Sequence, residues 1–304
     1  MGSATVQTIQ KPYRGRLAPS PTGYLHLGHA LTFWTAFERT TANAGKLILR
    51  IEDLDRERCR AEFRDAIAED LKWFGMRWDE GPVCGGAFAP YVQSERRAHY
   101  LSAWKKLRDG GFIYPCSCSR RDVLQSLAAP HEHLPGSRTP IDDEPLYPGT
   151  CRPAEAVVPD ANQPSGTTWR FRVPHGEKFS FTDARLGLQS AVAGADFGDF
   201  VVWRKDDIPA YQLAVTVDDA AMQITEVVRG EDLLTSTFRQ LLLYRALGME
   251  SPAFFHCPLV TDENSQRLAK RHESLSLRAL RENGADPEKL RTANPSSAGR
   301  SRSR

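Results

Sequence analysis

The chain has 304 residues, 40% of them hydrophobic and 26% charged, which describes an ordinary globular protein with a sizeable core in one large or two ordinary domains. No run of about 18 apolar residues could span a membrane, and residues 1–14 lack the apolar core of a secretory signal. A net charge of +2 announces no general affinity for nucleic acid, and six cysteines are too few for a disulfide scaffold, so a cytoplasmic, reducing location is expected.

A strand ending at Leu17 runs into the turn Ala18-Pro19-Ser20-Pro21-Thr22-Gly23, which opens an apolar helix over residues 27–44. Residues 46–51 read as a buried strand, and residues 60–74 and 94–108 as amphipathic helices stopped by Gly75 and Gly110. This alternation predicts an α/β fold with a Rossmann-type, doubly wound parallel sheet. From Cys116 to about Gly194 the pattern breaks into Pro, Gly and short strand candidates such as residues 168–173, which reads as an insertion. Alternation resumes with a strand at 200–203, a helix near 211–220, a strand at 223–228, a helix at 233–247 and a strand at 253–260. Residues 274–282 read as a helix, residues 287–290 begin one more turn, and residues 294–304 form a polar, basic tail expected to be disordered. The expected division is 12–115 for the first half of a nucleotide-binding core, 116–194 for the insertion, 195–260 for the second half, 261–290 for a loop and helical C-terminal segment, and 291–304 for the tail.

The first chemistry sits at His26-Leu27-Gly28-His29. A helix N-terminus offers free backbone N–H groups and a positive dipole end, here beside two imidazoles one turn apart. A polyphosphate fits that environment, and Gly28, having no Cβ, leaves room for a flat purine against the backbone. A second chemistry is in Cys116-Ser117-Cys118 and the later Cys151. Two close thiolates with a third on a second arm suit a zinc ion. His131 and His133 lie between the arms as possible fourth ligands, while Cys59, Cys84 and Cys257 have no partner pattern. Lys105, Lys106, Arg108, Arg120 and Arg121 make a local basic cluster.

The stretch RLAPSPTGYLHLGH at 16–29, followed by Arg50-Ile51-Glu52-Asp53-Leu54-Asp55, resembles the signature of the glutamyl class of class I aminoacyl-tRNA synthetases. Over residues 13–284 the chain is most similar to the short glutamyl-queuosine tRNA(Asp) synthetase family, paralogues without an anticodon-binding half. The resemblance implies that His26 and His29 bind ATP and stabilise charge on its α-phosphate, with Gly28 beside them. Lys270, in Arg267-Leu268-Ala269-Lys270-Arg271, aligns with the lysine of the second ATP motif, and Ala269 stands where serine is more usual. Arg16, Tyr211 and Arg229 are then expected to face a glutamate side-chain carboxylate, Glu52 to receive its ammonium, and Ser20 to complete the pocket. The acids of Asp218-Asp219 and of residues 229–233 are expected to be structural or to position the tRNA end. The family's Cys-x-Cys…Tyr-x-x-x-Cys arrangement implies Tyr147 as fourth ligand of a structural Zn²⁺.

The activity so implied is ATP-dependent formation of glutamyl-adenylate, with Mg²⁺ bridging phosphate oxygens, and transfer of the glutamyl group to queuosine in the anticodon of tRNA(Asp). Only residues 271–304 follow Lys270, too few for an anticodon-binding domain, so the catalytic core itself is expected to approach the anticodon loop. A monomer without membrane association is expected. The alternatives are a truncated glutamyl-tRNA synthetase charging tRNA(Glu), a small-molecule nucleotidyltransferase, and a non-catalytic RNA-binding paralogue.

Overall fold

The computed structural model describes residues 11–119, 121–124, 146–260 and 276–292. In chain order its elements begin β1 (Arg14–Leu17), α1 (Leu27–Ala42), β2 (Lys46–Leu49), α2 (Ala61–Trp73) and α3 (Arg97–Asp109). Five strands follow: β3 (Ile113–Cys116), β4 (Thr168–Phe171), β5 (Lys178–Asp183), β6 (Gly187–Val192) and β7 (Phe200–Trp203). The chain continues with α4 (Tyr211–Ala221), β8 (Glu226–Gly230), α5 (Leu234–Leu247), β9 (Ala253–Cys257), α6 (Leu277–Glu282) and α7 (Pro287–Thr292).

Two parallel crossover units build the core. β1 pairs with β2 in register from Arg14↔Lys46 to Leu17↔Leu49, with α1 between them in sequence. β8 pairs with β9 from Glu226↔Ala253 to Gly230↔Cys257, with α5 between them. The units abut at β1 and β8, where the Thr225 N–H reaches the Arg14 carbonyl at 3.0 Å and the Arg14 N–H reaches the Thr225 hydroxyl at 2.8 Å. Strand order therefore runs outward in both directions from the β1–β8 seam. In such doubly wound folds the crevice beyond the carboxyl ends of the strands at this switch point is where ligands bind. α1 packs closely enough on β1 that a Cβ at Gly15 would collide with the Thr40 hydroxyl.

Two main apolar clusters hold these layers. One joins Leu17, Leu47 and Leu49 of the strands to Ala30, Leu31 and Ala36 of α1, and to Ile67 and Leu71 of α2. The other joins α3, α4 and α5 to an antiparallel sheet of order β3-β4-β7, with Trp104 edge-on to Trp169 at 4.9 Å between ring centres.

The sheet pairing departs from the expected division. β7 pairs with β4, so residues 200–203 extend the antiparallel sheet instead of reopening the parallel one. Conversely β5 and β6, within the expected insertion, form a hairpin that joins the parallel sheet through Asp183↔Phe254. A boundary at 194 does not separate the two sheets. Apolar strands look alike in sequence, and their partners are chosen by contacts far along the chain. α3 does end at Gly110, but Gly110 is itself helical (φ −80°), and Gly111 (φ +68°) takes the left-handed turn. Residues 271–275 and the basic tail lie outside the described residues. Among the described residues no helix is long and apolar enough to cross a membrane, and all six cysteines are free.

Candidate active site

The turn after β1 carries α1 to the seam and leaves its N-terminus at the crevice. His26 is the N-cap, in extended conformation, and its carbonyl accepts the Ala30 N–H at 3.0 Å. The His26 side chain makes no capping hydrogen bond, and uncapped first-turn N–H groups of a helix suit an anionic ligand. The His26 and His29 rings stand 6.3 Å apart, edge to face. Burial lowers the pKa of both, and in His29 the neighbouring His26 lowers it further while Asp232 opposes. At neutral pH both rings are therefore uncharged N–H donors rather than fixed cations. Among the described residues the buried His26 Nδ1 has no hydrogen-bond partner. Among the described residues a Cβ added at Gly28 would meet only Val260, at 3.7 Å, so none of them packs closely enough to demand a glycine there.

Glu52 lies just past β2, and its position comes from a residue to which the sequence assigned no role. Arg50, fully buried, donates from Nη2 to Glu52 Oε1 at 2.8 Å and from Nη1 to Asp219 Oδ1 at 2.6 Å. Among the described residues nothing is hydrogen-bonded to Glu52 Oε2. Burial raises the Glu52 pKa, against Arg50 and Arg16. Asp219 also lies 3.5 Å from Arg16 Nε, and Arg16 Nη1 donates to the Val228 carbonyl at 2.9 Å. Asp218 accepts from Arg96 at 2.6 Å, Gln93 at 2.8 Å and Tyr100 at 2.9 Å. Both aspartates are buried (0% and 1% exposed), which removes the tRNA-positioning role expected of them and leaves the structural one.

Arg229, on β8, is 4% exposed and sits among neutral groups. Its Nη1 donates to Gln240 at 2.9 Å, its Nη2 to Thr237 at 2.7 Å, and its Nε to His256 Nε2 at 3.2 Å. No carboxylate forms an ion pair with it among the described residues. Burial lowers its pKa, and the charge of Arg16 acts in the same direction. Tyr211 opens α4 and is 40% exposed, within electrostatic reach of Arg229, Glu52 and Arg16. Burial raises its pKa. Two arginines, a phenol and a carboxylate thus lie within electrostatic reach of one another. Ser20 is exposed in the intervening turn, its carbonyl accepting from the Thr22 N–H at 2.9 Å. Lys270, Ala269 and the rest of that basic stretch lie outside the described residues.

A second cluster forms at the edge of the β3-β4-β7 sheet. The Sγ atoms of Cys116, Cys118 and Cys151 lie within 4.8 Å of one another. The Tyr147 hydroxyl is 3.4 Å from Cys116 Sγ and 3.5 Å from Cys118 Sγ, and Cys118 and Cys151 are 3.5 Å apart. Tetrahedral zinc with ordinary Zn–S and Zn–O bonds has S···O edges of about 3.5 Å and S···S edges of about 3.8 Å, so the four donors fit. Arg170, which the sequence did not single out, donates to Cys116 Sγ at 3.3 Å and stacks over the Tyr147 ring at 3.9 Å. His131 and His133 lie outside the described residues.

Two members of the local basic cluster are engaged within the protein. Lys106 donates to the Leu247 carbonyl at 2.6 Å, and Arg108 pairs with Asp109 at 2.6 Å and lies over Trp104. Lys105 and Arg121 are exposed, and Arg120 lies outside the described residues.

The family described as tRNA synthetases class I (E and Q), catalytic domain, matches residues 13–294. The Glutamyl-Q tRNA(Asp) synthetase of Nitratidesulfovibrio vulgaris is 46% identical over 273 residues, covering 89% of this chain and 82% of that protein. That of Symbiobacterium thermophilum is 46% identical over 276 residues, covering 90% and 83%. The crystal structure of glutamate-tRNA synthetase from Elizabethkingia anophelis is similar with a TM-score of 0.71 at 33% identity. It is matched over 86% of this chain and 53% of its own, so the chain spans about half the length of that enzyme.

Proposed function

The chain belongs to the glutamyl-Q tRNA(Asp) synthetases within the class I (E and Q) tRNA synthetase family, and on that premise we propose how its crevice works. The protein activates L-glutamate with ATP and transfers the glutamyl group to queuosine in the anticodon of tRNA(Asp). The observation that carries the glutamate half is Arg229, a buried cation with neutral partners only. An unpaired buried charge is costly, and a ligand carboxylate removes that cost.

In this reading Arg229, with Arg16 and Tyr211, receives the side-chain carboxylate. Glu52 receives the α-ammonium through its free oxygen, and Ser20 lines the same pocket. The α-carboxylate attacks the α-phosphorus of ATP, and pyrophosphate leaves. The α1 N-terminus, His26 and His29 donate hydrogen bonds to the phosphate oxygens as negative charge shifts among them, with Gly28 leaving space for the adenine. Lys270 supplies a cation to the same oxygens. Mg²⁺ accompanying the nucleotide would supply charge neutralisation. The mixed anhydride already carries the activation, so no covalent enzyme intermediate is required. Cys116, Cys118, Cys151 and Tyr147 would hold a Zn²⁺, and with four protein ligands its part would be structural.

The test is transfer of labelled glutamate to purified tRNA(Asp), with and without queuosine, beside tRNA(Glu). Label on queuosine-containing tRNA(Asp) alone is the expected result. Label on tRNA(Glu) means an ordinary charging enzyme. RNA binding with no activation of glutamate means a non-catalytic paralogue.

A further inference from the structure

We propose that His256 and Asp183 are a positioning pair for Arg229, holding its guanidinium with a neutral acceptor so that its charge stays available to a ligand carboxylate. The proposal rests on the glutamate reading above and extends it to two residues outside the pocket lining.

The hydrogen bonds assign the tautomer. His256 Nδ1 lies 2.7 Å from Asp183 Oδ2, which also accepts the His256 backbone N–H at 3.0 Å. The other oxygen of Asp183 accepts the N–H groups of Arg185 at 2.9 Å and Leu186 at 2.8 Å. Both oxygens of Asp183 are thus acceptors for backbone N–H groups, so the ring nitrogen facing Oδ2 donates and Nδ1 carries the proton. His256 Nε2 faces two donors, the Arg229 Nε–H and the Thr237 hydroxyl, each at 3.2 Å. It must present a lone pair. The Thr237 hydroxyl agrees, accepting from Arg229 Nη2 while its own proton turns toward the ring.

The remaining contacts are equally neutral. Gln240 accepts from Arg229 Nη1, and its amide donates to Gln212 at 3.1 Å, whose amide donates to Ser236 at 2.9 Å. Three of the five N–H groups of Arg229 are thereby used, one on each nitrogen. One N–H is left on each terminal nitrogen, the pair that a carboxylate accepts in two parallel bonds. The charged groups around the ring are Asp183 on β5, Arg229 on β8 and Arg185, whose guanidinium donates to the His256 carbonyl. Burial and Arg229 hold the His256 pKa near 4, against Asp183, so the ring is neutral at working pH. The negative charge of Asp183 is kept one ring away from the guanidinium. An acidic residue at 256 would hold Arg229 equally well and neutralise it.

That contrast supplies the test. ATP–pyrophosphate exchange is measured with L-glutamate for the full chain and for His256→Ala, His256→Gln and His256→Glu, together with melting temperatures. Absence of exchange in the unsubstituted protein would overturn the glutamate reading itself. With exchange present, His256→Gln should keep the glutamate KM within about threefold, as a neutral acceptor. His256→Ala and His256→Glu should each raise it at least about tenfold while the ATP KM stays within about twofold. His256→Glu should melt no lower than His256→Gln, because the new carboxylate pairs with Arg229. Equal glutamate KM values for the Gln and Glu variants overturn the proposal, as does a parallel rise in both KM values for His256→Ala.

Discussion

On the proposed reading Arg229 holds glutamate and His29 the nucleotide, so single substitutions should separate the two substrates. Removing a charge-assisted, bidentate contact costs about 3 kcal/mol, so Arg229→Ala should raise the glutamate KM on the order of a hundredfold and leave the ATP KM nearly unchanged. His29→Ala should do the reverse, lowering the exchange rate about a hundredfold at saturating glutamate. Steady-state exchange kinetics in both substrates read the two effects apart; equal losses for both substrates in Arg229→Ala would remove the role assigned to it. Two buried titrating groups also set the stability at acid pH, with opposite signs. The native pKa of His256 is pushed down to about 4. From pH 7.5 to pH 5 the unfolded chain therefore takes up a proton that the native state refuses, and about 2 kcal/mol of stability is lost. Asp70, on α2, is 0% exposed with neither oxygen hydrogen-bonded, and burial pushes its pKa up to about 6 against Arg281 at 3.7 Å. Its native state takes a proton below pH 6 that the unfolded chain refuses until about pH 4, so its contribution rises as pH falls. Urea unfolding across pH 5–8 should show Asp70→Asn more stable than the parent at pH 8 by about 2 kcal/mol and more acid-sensitive. His256→Gln should be less acid-sensitive than the parent.

At the scale of elements, α1 is the part most directly built for a ligand. It is uncapped and begins at the seam of the two crossover units, and its second residue is a glycine with space around it. Gly28→Ala separates the two reasons for a glycine. The nearest protein atom to the new methyl is ordinary contact at 3.7 Å, and alanine is the better helix former by up to about 1 kcal/mol. Stability should therefore hold or rise while the ATP KM rises at least about tenfold, because the methyl enters the nucleotide's space. A lowered melting temperature with unchanged ATP KM would mean that the glycine serves packing instead. The β5–β6 hairpin has a comparable purpose. It adds a single register pair to β9, and at that pair it delivers Asp183 to His256.

Over the whole molecule, buried charge stitches the two crossover halves together. Arg50, from the first half, ties Glu52 to Asp219 in the second, and Arg96 ties α3 to Asp218. Such links are costly to break singly, about 3–5 kcal/mol each, so Arg50→Ala should lose folded protein as well as activity. The thiolate cluster is farther along the chain and belongs to the antiparallel sheet. Cys116→Ser should lower bound zinc and melting temperature together, and a chelator should do the same to the parent, both followed by metal analysis and thermal melts. Unchanged zinc content in Cys116→Ser would take Cys116 out of the ligand set.

The passage from β1 through the turn into α1 was legible in the sequence because its signals are local. A Pro/Gly turn, a helix start and two histidines one turn apart need no distant partner to be recognised. The crossover elements were legible for the same reason, apolar periodicity being a property of short segments. Strand partnership was not: nothing within residues 200–203 distinguishes pairing with β4 from pairing with a core strand. Nor was the environment of Arg229. His256 sits in the run Phe254-Phe255-His256-Cys257 and reads as one more core position, while its carboxylate partner lies 73 residues away on a hairpin assigned to the insertion. The sequence by itself determined which charged side chains the molecule owns and where the turn into α1 begins. Only the tertiary structure decided which of those charges are neutralised, at Arg50, and which is left open, at Arg229, because neutralisation in a buried site depends on groups a few ångströms away in space and far apart along the chain.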